Sequence, residues 1–172
     1  NKLARLAAKL DLQAGDNILD IGCGWGGLGM AMAACERNTR FTGITLSRHQ
    51  LEYARTRAAA SGFEDRVSYH LRDYRDQSGM FQKIVSVGML EHVGQANFSS
   101  YFNKIKSFLA DDGLAVIHTI GVHHHAWPVN RWITKYIFPG RYLPSVAQMI
   151  RNTEERGLKL LELEIMRGHY AE

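Results

Sequence analysis

Cysteine is scarce in this chain: two residues in 172, Cys23 and Cys35. Two cysteines exclude a disulfide-stapled scaffold and fit a reducing, cytosolic compartment. Long apolar runs are absent too. No stretch approaches the roughly 20 apolar residues a helix needs to cross a bilayer, so no transmembrane segment is expected. No signal peptide is expected either, since Asn1 opens what reads as the middle of an amphipathic helix; missing upstream sequence is expected. Repeats, low-complexity tracts and linkers are lacking. Charge of one sign is in mild excess, at +4. That permits contact with an anionic surface, phospholipid or nucleic acid, without requiring either. There is no concentrated basic stripe and no Asn-Pro-Pro-Tyr-type signature for base extrusion, so no nucleic-acid partner is expected. What remains is a globular chain, 45% hydrophobic and 22% charged. Its length suits a single domain, 1–172, with a full core.

The most telling segment is 17–27, Asn-Ile-Leu-Asp-Ile-Gly-Cys-Gly-Trp-Gly-Gly. An apolar strand runs into a turn with Gly22, Gly24 and Gly26 at alternate positions and Asp20 just ahead. A dinucleotide fingerprint would read G-x-G-x-x-G and place a pyrophosphate at a helix N-terminus. The spacing here is D-x-G-x-G-x-G. Glycine tolerates positive φ and has no Cβ, so this tighter turn brings bare backbone against a ligand. It suits the methionine and ribose portion of S-adenosylmethionine (SAM), with Asp20 facing the cationic end. A glycine turn with no ligand gives the same local pattern.

Around that turn the chain alternates. Leu3, Leu6, Ala7 and Leu10 recur at helical spacing. Strands are predicted at 18–21, 41–45, 67–71, 83–87 and 114–119. Helices are predicted at 28–34, 48–60 with Ser47 as N-cap, and 98–109, with a turn at Asp112-Gly113. Such alternation predicts an α/β fold, a mostly parallel sheet with helices on both faces, and ligands at the carboxyl ends of the strands. Residues 122–144 are an aromatic insertion containing all three prolines, Pro128, Pro139 and Pro144. A helix over 145–155 and a strand over 158–166 complete the prediction.

Candidate residues cluster after the strands. The carboxylate that often binds ribose after a second strand is absent. Thr45, Leu46 and Ser47, with Gln50, occupy that place, and hydroxyl and amide groups can bond a ribose. Ser47 can also serve only as a cap. Asp73 could accept from an adenine amino group and Tyr74 could stack on the ring; a solvated loop is an equal reading. Glu91-His92 follows the fourth strand and points toward the crevice. His118 sits in an apolar strand, where a polar group is costly unless paired. His123, His124 and His125 read as a solvated loop, since adjacent side chains diverge and no metal is expected.

These segments together resemble the cyclopropane-fatty-acid synthases, including the mycolic acid cyclopropane synthases, of the class I SAM-dependent methyltransferases. The matching segments are ILDIGCGWGGL (18–28), TGITLS with Gln50, DYRD (73–76), IVSVGMLEHVG (84–94), IHTIG (117–121), WITKYIFPG (132–140), LPS (143–145) and HYAE (169–172). The resemblance implies a Rossmann-like class I fold and a methylene transfer. An alkene of an unsaturated phospholipid acyl chain attacks the SAM methyl group, a carbocation forms, a base removes a proton and a cyclopropane closes. Aromatic faces in the insertion would stabilise the cation. The base implied is a bicarbonate ion held by Glu91, His118, Tyr170 and backbone at Ile120. Glu91 is expected to accept from the bicarbonate hydroxyl or to carry a proton itself.

The resemblance also implies a bacterial, cytoplasmic enzyme, peripheral on the inner face of the membrane, with an N-terminal segment and a C-terminal end beyond this chain. A homodimer is compatible with it. Lys2, Arg5 and Lys9, and Arg131, Lys135 and Arg141, could touch the lipid surface; an ordinary solvated basic face is the plainer reading. Two rivals stay open: a methyltransferase acting on another lipid or a small nucleophile, and a SAM-binding module without catalysis.

Overall fold

The computed structural model describes residues 2–122, 132 and 142–166. The order is α1 (Lys2–Leu10), β1 (Asn17–Ile21), α2 (Gly27–Cys35), β2 (Arg40–Thr45), α3 (Arg48–Ala60), β3 (Val67–Leu71), β4 (Phe81–Val87), α4 (Leu90–Val93), α5 (Phe98–Phe108), β5 (Leu109–His118) and α6 (Val146–Glu154). The five strands form one parallel sheet in the order β3-β2-β1-β4-β5. The fold is the parallel α/β architecture the alternation predicts, Rossmann-like as the resemblance implies. β1 and β4 are central and almost continuously buried, as strands covered on both faces must be. β3, at an edge, alternates buried and exposed.

One face buries Leu6, Leu10, Met32, Phe41, Ala54 and Tyr69 under α1, α2 and α3. The other buries Leu19, Ile84, Leu90, Tyr101, Phe102 and Ile105 under α4 and α5. Tyr69 is the tightest point. Its ring and hydroxyl occupy the space that side chains on Gly26, Gly29 and Gly43 would need. A Cβ on Gly43 would fall 2.6 Å from the Tyr69 ring and 2.8 Å from Cys23 Cβ. The Tyr69 hydroxyl donates to the Gly26 carbonyl at 2.5 Å, so β3 holds the glycine turn from beneath.

Ser47 caps α3, with its hydroxyl accepting from the Gln50 N–H, and Gly62 follows at φ 69°. Two expectations are corrected. The turn at Asp112-Gly113 is absorbed into β5: Leu109 pairs with Phe81 and Leu114 with Lys83, so residues 110–113 bulge within one continuous strand. The strand over 158–166 does not form, because no neighbouring backbone among the described residues pairs with it. That segment is held by charge instead. Lys9 Nζ lies 2.5 Å from Glu162 and 2.9 Å from Glu164, and Arg5 lies 3.0 Å from Glu164. Two of the three basic residues of α1 that could touch a lipid surface, Arg5 and Lys9, are thus engaged within the chain. Most of the aromatic insertion and the three histidines lie outside the described residues.

Gly43→Ala is expected to destabilise the fold by about 1–3 kcal/mol through overpacking against Tyr69. Urea unfolding of the variant checks it; an unchanged midpoint would mean the ring can move aside.

Candidate active site

In the order β3-β2-β1-β4-β5 the chain reverses direction across the sheet between β1 and β4. A crevice opens outside the carboxyl ends at such a point. The loops after these two strands meet there: a Cβ on Gly22 would lie 3.3 Å from Met89 Cβ. Gly22, Gly24 and Gly26 all have positive φ, at 88°, 54° and 77°. The Gly22 and Cys23 N–H groups donate to Ile44 O, which ties the turn to the end of β2. Parallel register then aligns the other ends. Ile21 stands beside Ile44, Thr45 beside Leu71, and Val87 beside His118.

Asp20 is 2% exposed, and its Oδ1 has no hydrogen-bond partner among the described residues. Burial pushes its carboxyl up to about 7. Its field adds to burial in pushing the Cys23 thiol up to about 12, so Cys23 is an inert packing group. An orphaned buried carboxylate oxygen beside open glycine backbone fits a cationic ligand, and SAM carries a sulfonium and an ammonium.

Beyond the turn, the Thr45 hydroxyl donates to Gln50 Oε1 at 3.1 Å and accepts from the Ser47 N–H at 3.2 Å. This arrangement fixes the carboxamide with its NH2 left to donate. Leu46 is exposed at the end of β2. These groups fit the sugar side of the same ligand.

Asp73 and Tyr74 fit their expected roles less well. The Asp73 carboxylate caps a short turn over Tyr74–Asp76 and takes a bidentate pair from Arg75, at 2.9 and 2.6 Å. That hydrogen-bonded pair holds it below the usual carboxylate range. Tyr74 is buried, with its ring edge-on to Tyr101 at 5.5 Å.

The residues after β4 separate. Glu91 is 1% exposed, whereas its neighbour His92 is exposed, because the single turn of α4 sends them to different sides. His92 is therefore not in the buried group. Glu91 Oε1 accepts from the Ile120 N–H at 2.7 Å, while Oε2 is buried with no partner among the described residues. His118 ends β5, and its main-chain carbonyl accepts from the Gly88 N–H. Burial, and then the positive charge of Lys2, hold its imidazole below its ordinary value against the opposing pull of Glu91. His118 is therefore neutral near pH 7, able to donate through one ring nitrogen and accept through the other. Glu91, His118 and Ile120 come together. Tyr170 lies outside the described residues.

Three supporting residues were not singled out from sequence. Tyr69 holds the glycine turn. Ser86 donates to Ile21 O at 2.9 Å, tying β4 to the end of β1. Tyr142 donates its N–H to the Glu91 carbonyl at 3.0 Å. Strand alternation places Tyr69 inside, but nothing in the sequence spacing marks the other two contacts.

Asp20 generates a pH prediction. Its carboxyl binds its proton more tightly when folded than the ordinary value of 3.8, so its stabilising contribution is full below that value and fades as pH rises toward 7. The shift corresponds to an upper bound of about 4 kcal/mol. Asp20→Asn lacks this term, so its stability relative to the parent protein is expected to rise from pH 4 to pH 7 and then level. Denaturant midpoints across pH 4–9 check this; a pH-independent difference would show that Asp20 is not neutralised by burial.

Comparison with known proteins agrees with the geometry. A family model described as mycolic acid cyclopropane synthetase matches residues 1–172. The cyclopropane-fatty-acyl-phospholipid synthase of Escherichia coli strain K12 is 42% identical over 153 residues, 89% of this chain and 39% of that protein. The tuberculostearic acid methyltransferase UfaA1 of Mycobacterium tuberculosis is 39% identical over 176 residues, 99% of this chain and 41% of that protein. The chain thus spans less than half the length of these relatives. A crystal structure of mycolic acid cyclopropane synthase CmaA1 complexed with SAH and CTAB superimposes with a TM-score of 0.89 at 27% identity, over 99% of this chain and 64% of that one. With a match along its whole length and the same fold as a solved member, the chain belongs to the mycolic acid cyclopropane synthetase family.

Proposed function

We propose that the chain is the catalytic part of a SAM-dependent enzyme that adds a one-carbon unit to the double bond of an unsaturated phospholipid acyl chain and closes a cyclopropane ring. The observation that carries this reading is the buried Glu91 carboxylate at the carboxyl edge of the sheet. One of its oxygens is fixed by Ile120 and the other is left without a partner among the described residues. Such a group costs stability unless a ligand completes it.

The glycine turn, Asp20, Thr45 and Gln50 would hold SAM, which supplies an electrophilic methyl group when bound. The remaining chemistry asks the protein for a proton acceptor in a site that excludes water. Glu91 and neutral His118 would hold one, and the family resemblance points to bicarbonate, with Tyr170 as a further ligand. In this structure the Ile120 N–H is taken by Glu91. An anion bound to that N–H would have to displace the Glu91 oxygen.

A phospholipid acceptor makes the enzyme a peripheral protein on the cytoplasmic face of a membrane. No helix among the described residues is long and apolar enough to cross one. A second reading, plain methyl addition to a lipid, is favoured by the similarity to the tuberculostearic acid methyltransferase. It uses the same site and differs in the fate of the alkylated chain.

Full-length protein incubated with methyl-labelled SAM and unsaturated phospholipid vesicles is expected to give lipid one methylene unit heavier and resistant to alkene hydrogenation. A heavier lipid that still takes up hydrogen would establish the second reading, and no lipid product would overturn both. Glu91→Gln is expected to lower turnover by at least about 10²-fold with SAM affinity nearly intact. Equal loss of both would remove Glu91 from the chemistry.

A further inference from the structure

Glu91 is held from two directions, and only one involves its carboxylate. Its main-chain carbonyl accepts from the Tyr142 N–H at 3.0 Å. Tyr142 is itself fixed at both ends. Its ring sits edge-on to Phe98, the first residue of α5, at 5.6 Å. Its hydroxyl lies 3.0 Å from Gln148 Oε1 and 2.7 Å from Gln148 Nε2.

Gln148 is tied down as well. It closes a capping box at the start of α6: Ser145 Oγ accepts from the Gln148 N–H, and Gln148 Oε1 accepts from the Ser145 N–H at 2.9 Å. This unit is also stitched to the exit of β5. The Val122 N–H donates to Pro144 O, and the Val146 N–H donates to Val122 O. Ile120, two residues before Val122, is the donor to the Glu91 carboxylate. A polar chain therefore runs from the α6 cap through Tyr142 to the backbone of Glu91, and from the same cap through Val122 to the residue beside its carboxylate.

We propose that Tyr142 and Gln148 are positioning residues for Glu91, setting where its unpartnered carboxylate oxygen stands. The inference rests on the reading of Glu91 as a group that holds the proton acceptor. Neither side chain hydrogen-bonds to Glu91. Their effect passes through the Tyr142 N–H, so it falls on the step that Glu91 serves rather than on SAM binding at the glycine turn.

Tyr142→Phe deletes the hydroxyl while retaining the ring and the N–H. Gln148→Ala deletes both the partner of that hydroxyl and the cap. Gln148→Glu preserves a capping box and an acceptor for the Tyr142 hydroxyl. Full-length variants are assayed with labelled SAM and unsaturated phospholipid vesicles, alongside SAM affinity by calorimetry and melting curves. The expected result is a fall in kcat of roughly 5–50-fold for Tyr142→Phe and Gln148→Ala, since a small misplacement of a reacting group is costly. SAM Kd should stay within about twofold, and Gln148→Glu should recover kcat relative to Gln148→Ala.

Unchanged kcat in Tyr142→Phe would overturn the proposal. So would kcat and SAM affinity falling together, or a loss in Gln148→Glu equal to that in Gln148→Ala. Glu91→Gln measured in parallel separates the two levels. If it turns over like the parent, the reading of Glu91 fails, whatever the Tyr142 variants do.

Discussion

One tyrosine sets the spacing on which the crevice depends. Tyr69, on β3, lies under the glycine turn and fills the volume that side chains on Gly26, Gly29 and Gly43 would occupy. Its hydroxyl holds the Gly26 carbonyl. Because interiors pack at crystal-like density, that volume cannot be shared. The first turn of α2 consequently sits close over β2, and the turn before it can present bare backbone at the sheet edge. The glycines serve two ends at once: some admit the ring, and others supply the positive φ of the turn.

Two buried carboxylates flank the crevice with different solutions to the same cost. Asp20 is left with an oxygen unpartnered among the described residues, and burial shifts it toward neutrality. Glu91 satisfies one oxygen with a backbone N–H and leaves the other without a partner among the described residues. A fold selected for stability alone would favour apolar groups in both places. Their retention at the carboxyl edge fits a site whose ligands complete them.

Much of the fold was legible because its signals are local. The glycine turn, the Ser47 cap and the apolar strands at 18–21 and 83–87 each follow from a few adjacent residues. The bulge at residues 110–113 was not legible. Asp112-Gly113 has turn chemistry, and only the register against Phe81 and Lys83 shows that the strand continues through it. The segment 158–166 failed for the opposite reason. Its alternating pattern is strand-like, but a strand also needs a neighbour. In the site, Glu91 could be proposed from its place after a core strand and His118 from its place within an apolar one. The burial of Tyr74 against Tyr101 could not, since it depends on a helix distant in sequence. His92 shows a related limit: adjacency to Glu91 in sequence suggested a shared role, and the rotation of about 100° between successive helical residues turns them apart.

The clasp between α1 and residues 162–164 bears on how the sheet ends. Among the described residues β5 is the outermost strand on its side, and an open strand edge is a template for pairing with another chain. The segment that α1 holds carries exposed Leu161, Leu163 and Ile165, interleaved with Glu162 and Glu164. Those acidic residues break what would otherwise be a continuous apolar run of high β-propensity, and Lys9 and Arg5 anchor them to the body of the domain. Charges interleaved in this way are of the kind that guards an apolar, strand-like segment against pairing with another chain. Their protection is electrostatic, so it weakens as ionic strength rises and the Debye length shortens.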